Sequence, residues 1–126
     1  MNCIVLLLIA YHGECGDNAS FTINSGGDLK ISGTGIIDKT DWSEEMKKTV
    51  RKIIIEDGIT EIGANAFNGM KNMTSIRFPD TLTHIHFGAL ANTPSLTHAA
   101  ISEGVTNVDD DAFSLCIQTI PTLSKN

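Results

Sequence analysis

A step of 23 residues recurs through the second half of the chain, and it limits the possible folds more than any other feature. From Ile53 the step reaches Ile76 and then Ala99; from Ile55, Phe78 and Ile101; from Ile59, Leu82 and Val105; from Ile62, Ile85 and Val108. Ala66 returns as Ala89 and Ala112, Phe67 as Leu90 and Phe113, and Thr60 unchanged as Thr83 and Thr106. Met70, Thr93 and Cys116 share a further column, which makes Cys116 a small core residue. Gapless columns with a period in the twenties describe a solenoid, because a unit that short buries its apolar positions only against copies of itself. The column Ile62, Ile85, Val108 is expected to form one buried ladder.

Each unit also carries local structure. In "MTSIRFPDTL", Met73, Ile76 and Phe78 are apolar while Ser75 and Arg77 alternate with them, as in a half-buried strand. Pro79 ends that strand, since proline has no N–H for the ladder. A second extended piece turns Leu82 and Ile85 inward, and the "AF" or "AL" pair with its polar turn closes the coil. Stacked coils form parallel sheet with about 4.8 Å between strands. Ahead of the repeats, Phe21 and Ile23, then Leu29 and Ile31, alternate around "NSGGD", a hairpin pattern. Asp41 with Glu44 fits a capping box, and Trp42, Met46 and Val50 share one helical face, which would cover the open end of the first coil.

The phrases "MTSIRFPDTLTHIHFGALANTPSL", "GITEIGANAFNGMKNM" and "GVTNVDDDAFSLC" resemble the BspA-type leucine-rich repeats, and "CGDNASFTINSGGDLKISGTGIIDKTDW" looks like the segment that precedes them. The resemblance covers roughly residues 15–118. It implies a leucine-rich repeat solenoid from a microbial or protist surface protein used in adhesion or protein binding. Three departures stand out: the Gly63 column carries His86 and Asp109, the cysteine column is filled by Cys116 alone, and the last unit loses its pattern after Cys116. The expected class is α+β: a short right-handed solenoid of about three 23-residue coils with parallel sheet, capped by a β-hairpin and a short helix. The expected division is a leader at 1–14, a cap at 15–49, coils at 50–118 and a degenerate tail at 119–126.

The apolar run at residues 4–10 is too short to span a bilayer, which needs about 20 residues. Its position and length suit the core of a secretory leader, the alternative being a buried first strand. Removal of the leader takes Cys3 with it and leaves Cys15 and Cys116, a pair that an oxidising compartment could join. The formal net charge of −6 argues against nucleic acid as a partner, which would require a dense basic patch. Lys47, Lys48, Arg51 and Lys52 follow Glu44 and Glu45, a pattern that reads as the solvated face of a helix.

Chemistry is sparse. "GTGIID" has two of the three glycines of a dinucleotide fingerprint and reads as a turn. There is no G-x-S-x-G, no H-E-x-x-H, and no cysteine with a histidine in its column. No catalytic residue, cofactor or metal is assigned, and the chain reads as a non-enzyme. His84 and His86 project to one side of a strand. By register His84 lies between Glu61 and Asn107, and His86 between Gly63 and Asp109. The set reads as a ladder of opposite charges, with a metal site using His84, His86 and Asp109 as the alternative.

A surface remains. Lys52, Ile54, Glu56, Ser75, Arg77, His98, Ala100 and Ser102 face away from the core on the strands, and the resemblance makes theirs the binding side. The expected function is a secreted or cell-surface module that binds an unidentified protein or glycan, or else a partnerless piece of a longer array. "NAS" at Asn18 and "NMT" at Asn72 fit the glycan acceptor pattern. At the far end a fourth strand would place Thr122 and Ser124 inward, so the tail is expected either to fold over the third coil with Ile120 and Leu123 as a lid or to leave that coil uncovered, and the domain is expected to self-associate end to end.

Overall fold

The computed structural model describes residues 9–116 of the chain. Along it run β1 (Ile9–Gly16), β2 (Ala19–Asn24), β3 (Asp28–Gly33), β4 (Gly35–Ile37), α1 (Glu44–Thr49), β5 (Lys52–Ile55), β6 (Ile59–Ile62), β7 (Ser75–Arg77), β8 (His84–Ile85), β9 (His98–Ala100) and β10 (Asn107–Val108). Two sheets result, one of order β1-β2-β3-β5-β7-β9 and one of order β10-β8-β6-β4. The turn segments that follow β6, β8 and β10 make a third side. The chain is therefore a mostly-strand solenoid.

The columns stack as the period requires. Ile53 lies beside Ile76 and Ile76 beside Ala99, all buried, and Ile62 lies beside Ile85 in the second sheet. Each enclosed isoleucine contributes on the order of 1.5–3 kcal/mol by leaving water. The coil count exceeds the expected three. β3, β4 and α1 form a coil of their own, joined to the first repeat by parallel pairing of Asp28 with Lys52 and of Gly35 with Ile59. The step there is 24 residues, and that coil lacks the "AF" phrase, so the period does not reach it.

The hairpin pairs Phe21 with Ile31 and Ile23 with Leu29, and Asn24 Oδ1 accepts from the amides of Gly26 and Asp28 to shape its turn. β1 adds a third antiparallel strand, with Tyr11 packed against the core and Cys15 buried. The Cys15 carbonyl accepts from Asp38 and Lys39, which closes the first end of the smaller sheet. The helix differs in detail from expectation. Its N-cap is Ser43, whose hydroxyl accepts from Met46 N, and not Asp41; hydroxyls cap as well as carboxylates. Trp42 and Val50 are buried but flank the helix, and Arg51 and Lys52 lie beyond its end. Trp42 is the keystone of the cap. Its indole N–H donates to Ala66 O at 2.6 Å, and its ring meets Phe21 edge-on at 4.8 Å and stacks on Phe67 at 6.1 Å.

The invariant threonine column has a physical cause. The Thr83 amide and hydroxyl both donate to Thr60 O, and those of Thr106 both donate to Thr83 O. Thr74 and Thr97 do the same one side over, toward Arg51 O and Thr74 O. On the turn side two left-handed positions repeat: Asn65, Gly88 and Asp111 in one column, Gly69, Asn92 and Leu115 in the other. Leucine is the misfit there, because its Cβ crowds the following carbonyl in that conformation.

One expectation needs correction, and one open question is answered. Val108 stacks on Ile85 but is 45% exposed, so the ladder is not buried throughout: among the described residues β10 is the outermost strand of its sheet. The pairing of Cys15 with Cys116, left open by the sequence, is not formed: both are free thiols, Cys15 on β1 and Cys116 in the last described coil. Cys116 instead shares a 3.2 Å hydrogen bond with the buried Thr93 hydroxyl directly beneath it. The tail at 119–126 lies outside the described residues.

Candidate functional site

The outward side of the larger sheet is built by strict alternation. Lys30, Ile54, Arg77 and Ala100 form one row across the strands, and Asp28, Lys52, Ser75 and His98 form the next. All eight residues expected on this side are exposed or half-buried. Ser102 is partly committed, its hydroxyl donating to Pro79 O, and His98 Nδ1 is held by the Thr97 hydroxyl at 2.8 Å. Where the strands end, a groove between coils is lined by Glu56, Asp57, Arg77, Pro79 and Asp80. A second groove lies between Arg77, Asp80, His98, Ala100 and Ser102.

Sequence reasoning missed half of this face. The pairing continues through β2 and β1, which brings Thr22 and His12 into the row of Lys30 and Ile54. The 24-residue offset between Leu29 and Ile53 would have revealed β3; nothing in the period points to the antiparallel strands beyond it.

The four-group cluster sits on the smaller sheet. β6, β8 and β10 place Glu61, His84 and Asn107 side by side, as the register requires. The side chains, however, cross diagonally. His84 Nε2 meets Asp109 Oδ1 at 2.8 Å, and His86 Nε2 meets Glu61 Oε1 at 2.7 Å. The two imidazoles stack with centroids 3.8 Å apart and planes 18° from parallel. Their side chains are 24% and 28% exposed. The hydrogen bond from His84 holds the Asp109 carboxyl below the usual carboxylate range, helped by the charges of both histidines and opposed by partial desolvation.

The glycan candidates differ. Asn18 is exposed in the turn between β1 and β2, whereas the Asn72 amide donates to Lys48 O at 2.9 Å. The "GTGIID" stretch turns at Gly33 and Thr34 out of β3 and then forms the whole of β4. Among the described residues no helix is long and apolar enough to cross a membrane.

Residues 45–123 match the family described as BspA type Leucine rich repeat region (6 copies). A leucine-rich repeat protein from Eubacterium ventriosum superposes on 79% of this chain with a TM-score of 0.60 at 20% identity. A leucine rich cell surface protein from Faecalibacterium prausnitzii covers 86% of this chain at 20% identity, with a TM-score of 0.45. The chain spans 40% and 41% of the lengths of these two proteins. No curated protein matches the chain.

Proposed function

The chain belongs to the BspA-type leucine-rich repeat family, and on that premise we propose that it is a non-enzymatic secreted or cell-surface module that binds protein or glycan through the outward side of its larger sheet. The observation that carries this reading is the continuity of that side over six strands. Lys30, Lys52 and Arg77 stand on it without an ion-pair partner among the described residues. Six strands at about 4.8 Å and roughly 17 Å long give a footprint near 490 Å². A standard interface takes about 800 Å² from each partner, so one copy binds weakly and useful avidity comes from several copies or added coils.

The shorter length relative to the Eubacterium ventriosum protein favours a second reading, in which the chain is one part of a longer array. A leader at 1–14 fits secretion, although removal at residue 14 would leave only Cys15 and Gly16 of β1. The glycan acceptors Asn18 and Asn72 belong to the same proposal. So does end-to-end pairing of two copies, since among the described residues β9 and β10 are the last strands of their sheets and Val108 and Leu115 are exposed beside them. Light scattering should then show mass rising with concentration; a constant monomer mass would refute the pairing.

An immobilised panel of extracellular proteins and glycans tests the main reading. The expected hit loses at least about tenfold in affinity when Lys52 and Arg77 are both changed to Glu, since the reversals put like charge against a partner that matches this face. A hit indifferent to that double change would place binding elsewhere and refute the assignment of this face.

A further inference from the structure

The histidine–carboxylate cluster is not arranged as a ladder. In a ladder, groups directly opposite one another pair and the columns run on from coil to coil. Here the pairs are diagonal. Glu61 from one coil and Asp109 from the next but one both close on the stacked histidines of the coil between them. The remaining corners of the array, Gly63 and Asn107, carry no charge, so the set is closed on itself. One oxygen of Glu61 and one nitrogen of each histidine therefore lie within 4.8 Å of one another, and Asp109 Oδ1 stands 2.8 Å from His84 Nε2.

We propose that Glu61, His84 and His86, with Asp109 completing the set, bind one divalent cation of the zinc type and clamp three successive coils together. One ligand atom from each of Glu61, His84 and His86 already lies within 4.8 Å of the others. Tetrahedral zinc with bonds of about 2.0–2.1 Å spaces its donors about 3.4 Å apart, so the set closes by about 1.5 Å at its widest. Two carboxylates and two neutral imidazoles balance a charge of two. An even mixture of imidazole nitrogen and carboxylate oxygen suits zinc and its neighbours; calcium and magnesium take oxygen throughout.

The clamp would act where the stack is least enclosed, because Asp109 follows the half-exposed Val108. The inference stands independently of what the larger sheet binds.

Zinc alone, titrated into the chelator-treated full chain against a chromogenic competitor, tests it. One equivalent per chain is expected at about pH 7.5, at least tenfold weaker at about pH 5.5 because protons compete for the ligands. His86→Ala and Glu61→Gln should each weaken binding about a hundredfold or more, while His98→Ala, on the larger sheet, should not change it. Circular dichroism verifies that the variants keep the fold. Cobalt(II) supplies a readout that requires no variant: the visible bands of a tetrahedral ion, lost on adding one equivalent of zinc. No binding below about 1 mM zinc, binding that survives His86→Ala, or a cobalt spectrum of an octahedral hydrated ion would each overturn the proposal.

Discussion

Ile85 and Val108 occupy one column of the repeat and touch along the same ladder, yet truncating them should have very different consequences. Ile85 is fully enclosed, with Ile62 on one side and Val108 on the other. Ile85→Ala deletes three carbons, about 2.4 kcal/mol of transfer energy at about 0.8 kcal/mol each. The cavity left between two flanking coils adds to that, for a total of about 3–4 kcal/mol. Val108→Ala deletes two carbons, about 1.6 kcal/mol if buried. Val108 is 45% exposed, which cuts the loss to about 0.9 kcal/mol and leaves no closed cavity. Urea denaturation followed by far-ultraviolet circular dichroism measures both. The fluorescence of Trp42, the single tryptophan, reports the cap in the same samples and should give the same midpoint if the stack unfolds as one unit. Losses within about 0.5 kcal/mol of each other would refute the reasoning, because the ladder would then be uniformly covered or uniformly open.

Two further predictions rest on single residues. Leu115 is 72% exposed and sits at φ 59° in a column otherwise filled by Gly69 and Asn92. Leu115→Asn should therefore raise stability by about 1 kcal/mol, read as an increase of about 4 °C in the thermal midpoint, and a midpoint that falls would deny the strain. Burial, with a smaller contribution from the charge of Asp38, pushes the Cys15 thiol up to about 12 from 9.0. A raised folded-state value means the neutral thiol's contribution is complete below pH 9 and is lost as pH climbs from 9 toward 12. The stability difference between the parent chain and Cys15→Ala should shrink across that window, and a constant difference would contradict the burial argument.

The repeat was legible because solenoid packing repeats the same physical demand every coil. Ile53, Ile76 and Ala99 read as one column for the reason that they stack. The cap coil was not legible, because no "AF" phrase follows its β4 and its step is one residue longer. Packing there is supplied by Trp42, a residue that has no counterpart in the repeats. The exposure of Val108 escaped the sequence for a related reason: a column shows who stacks on whom, not how well each member is covered. At the cluster, the pattern H-x-H with acids one coil away gave the participants. It could not give the diagonal crossing, which depends on rotamers and on the missing side chain at Gly63. Ser43 rather than Asp41 caps α1 because two good capping residues lie two positions apart, and propensity alone does not rank them.

The threonine columns bear on how such a chain would respond to pulling. Thr60, Thr83 and Thr106 are joined by hydrogen bonds that run from coil to coil along the stack, not across it. Tension applied along that axis loads the bonds of one interface at a time, so coils peel away in sequence instead of shearing together. Each released coil of 23 residues would add about 80 Å of contour, at roughly 3.5 Å per residue. Force traces should show evenly spaced small ruptures, and a single rupture of full length would contradict this. A tether of that kind yields in increments, keeping the still-folded coils at the far end able to hold on.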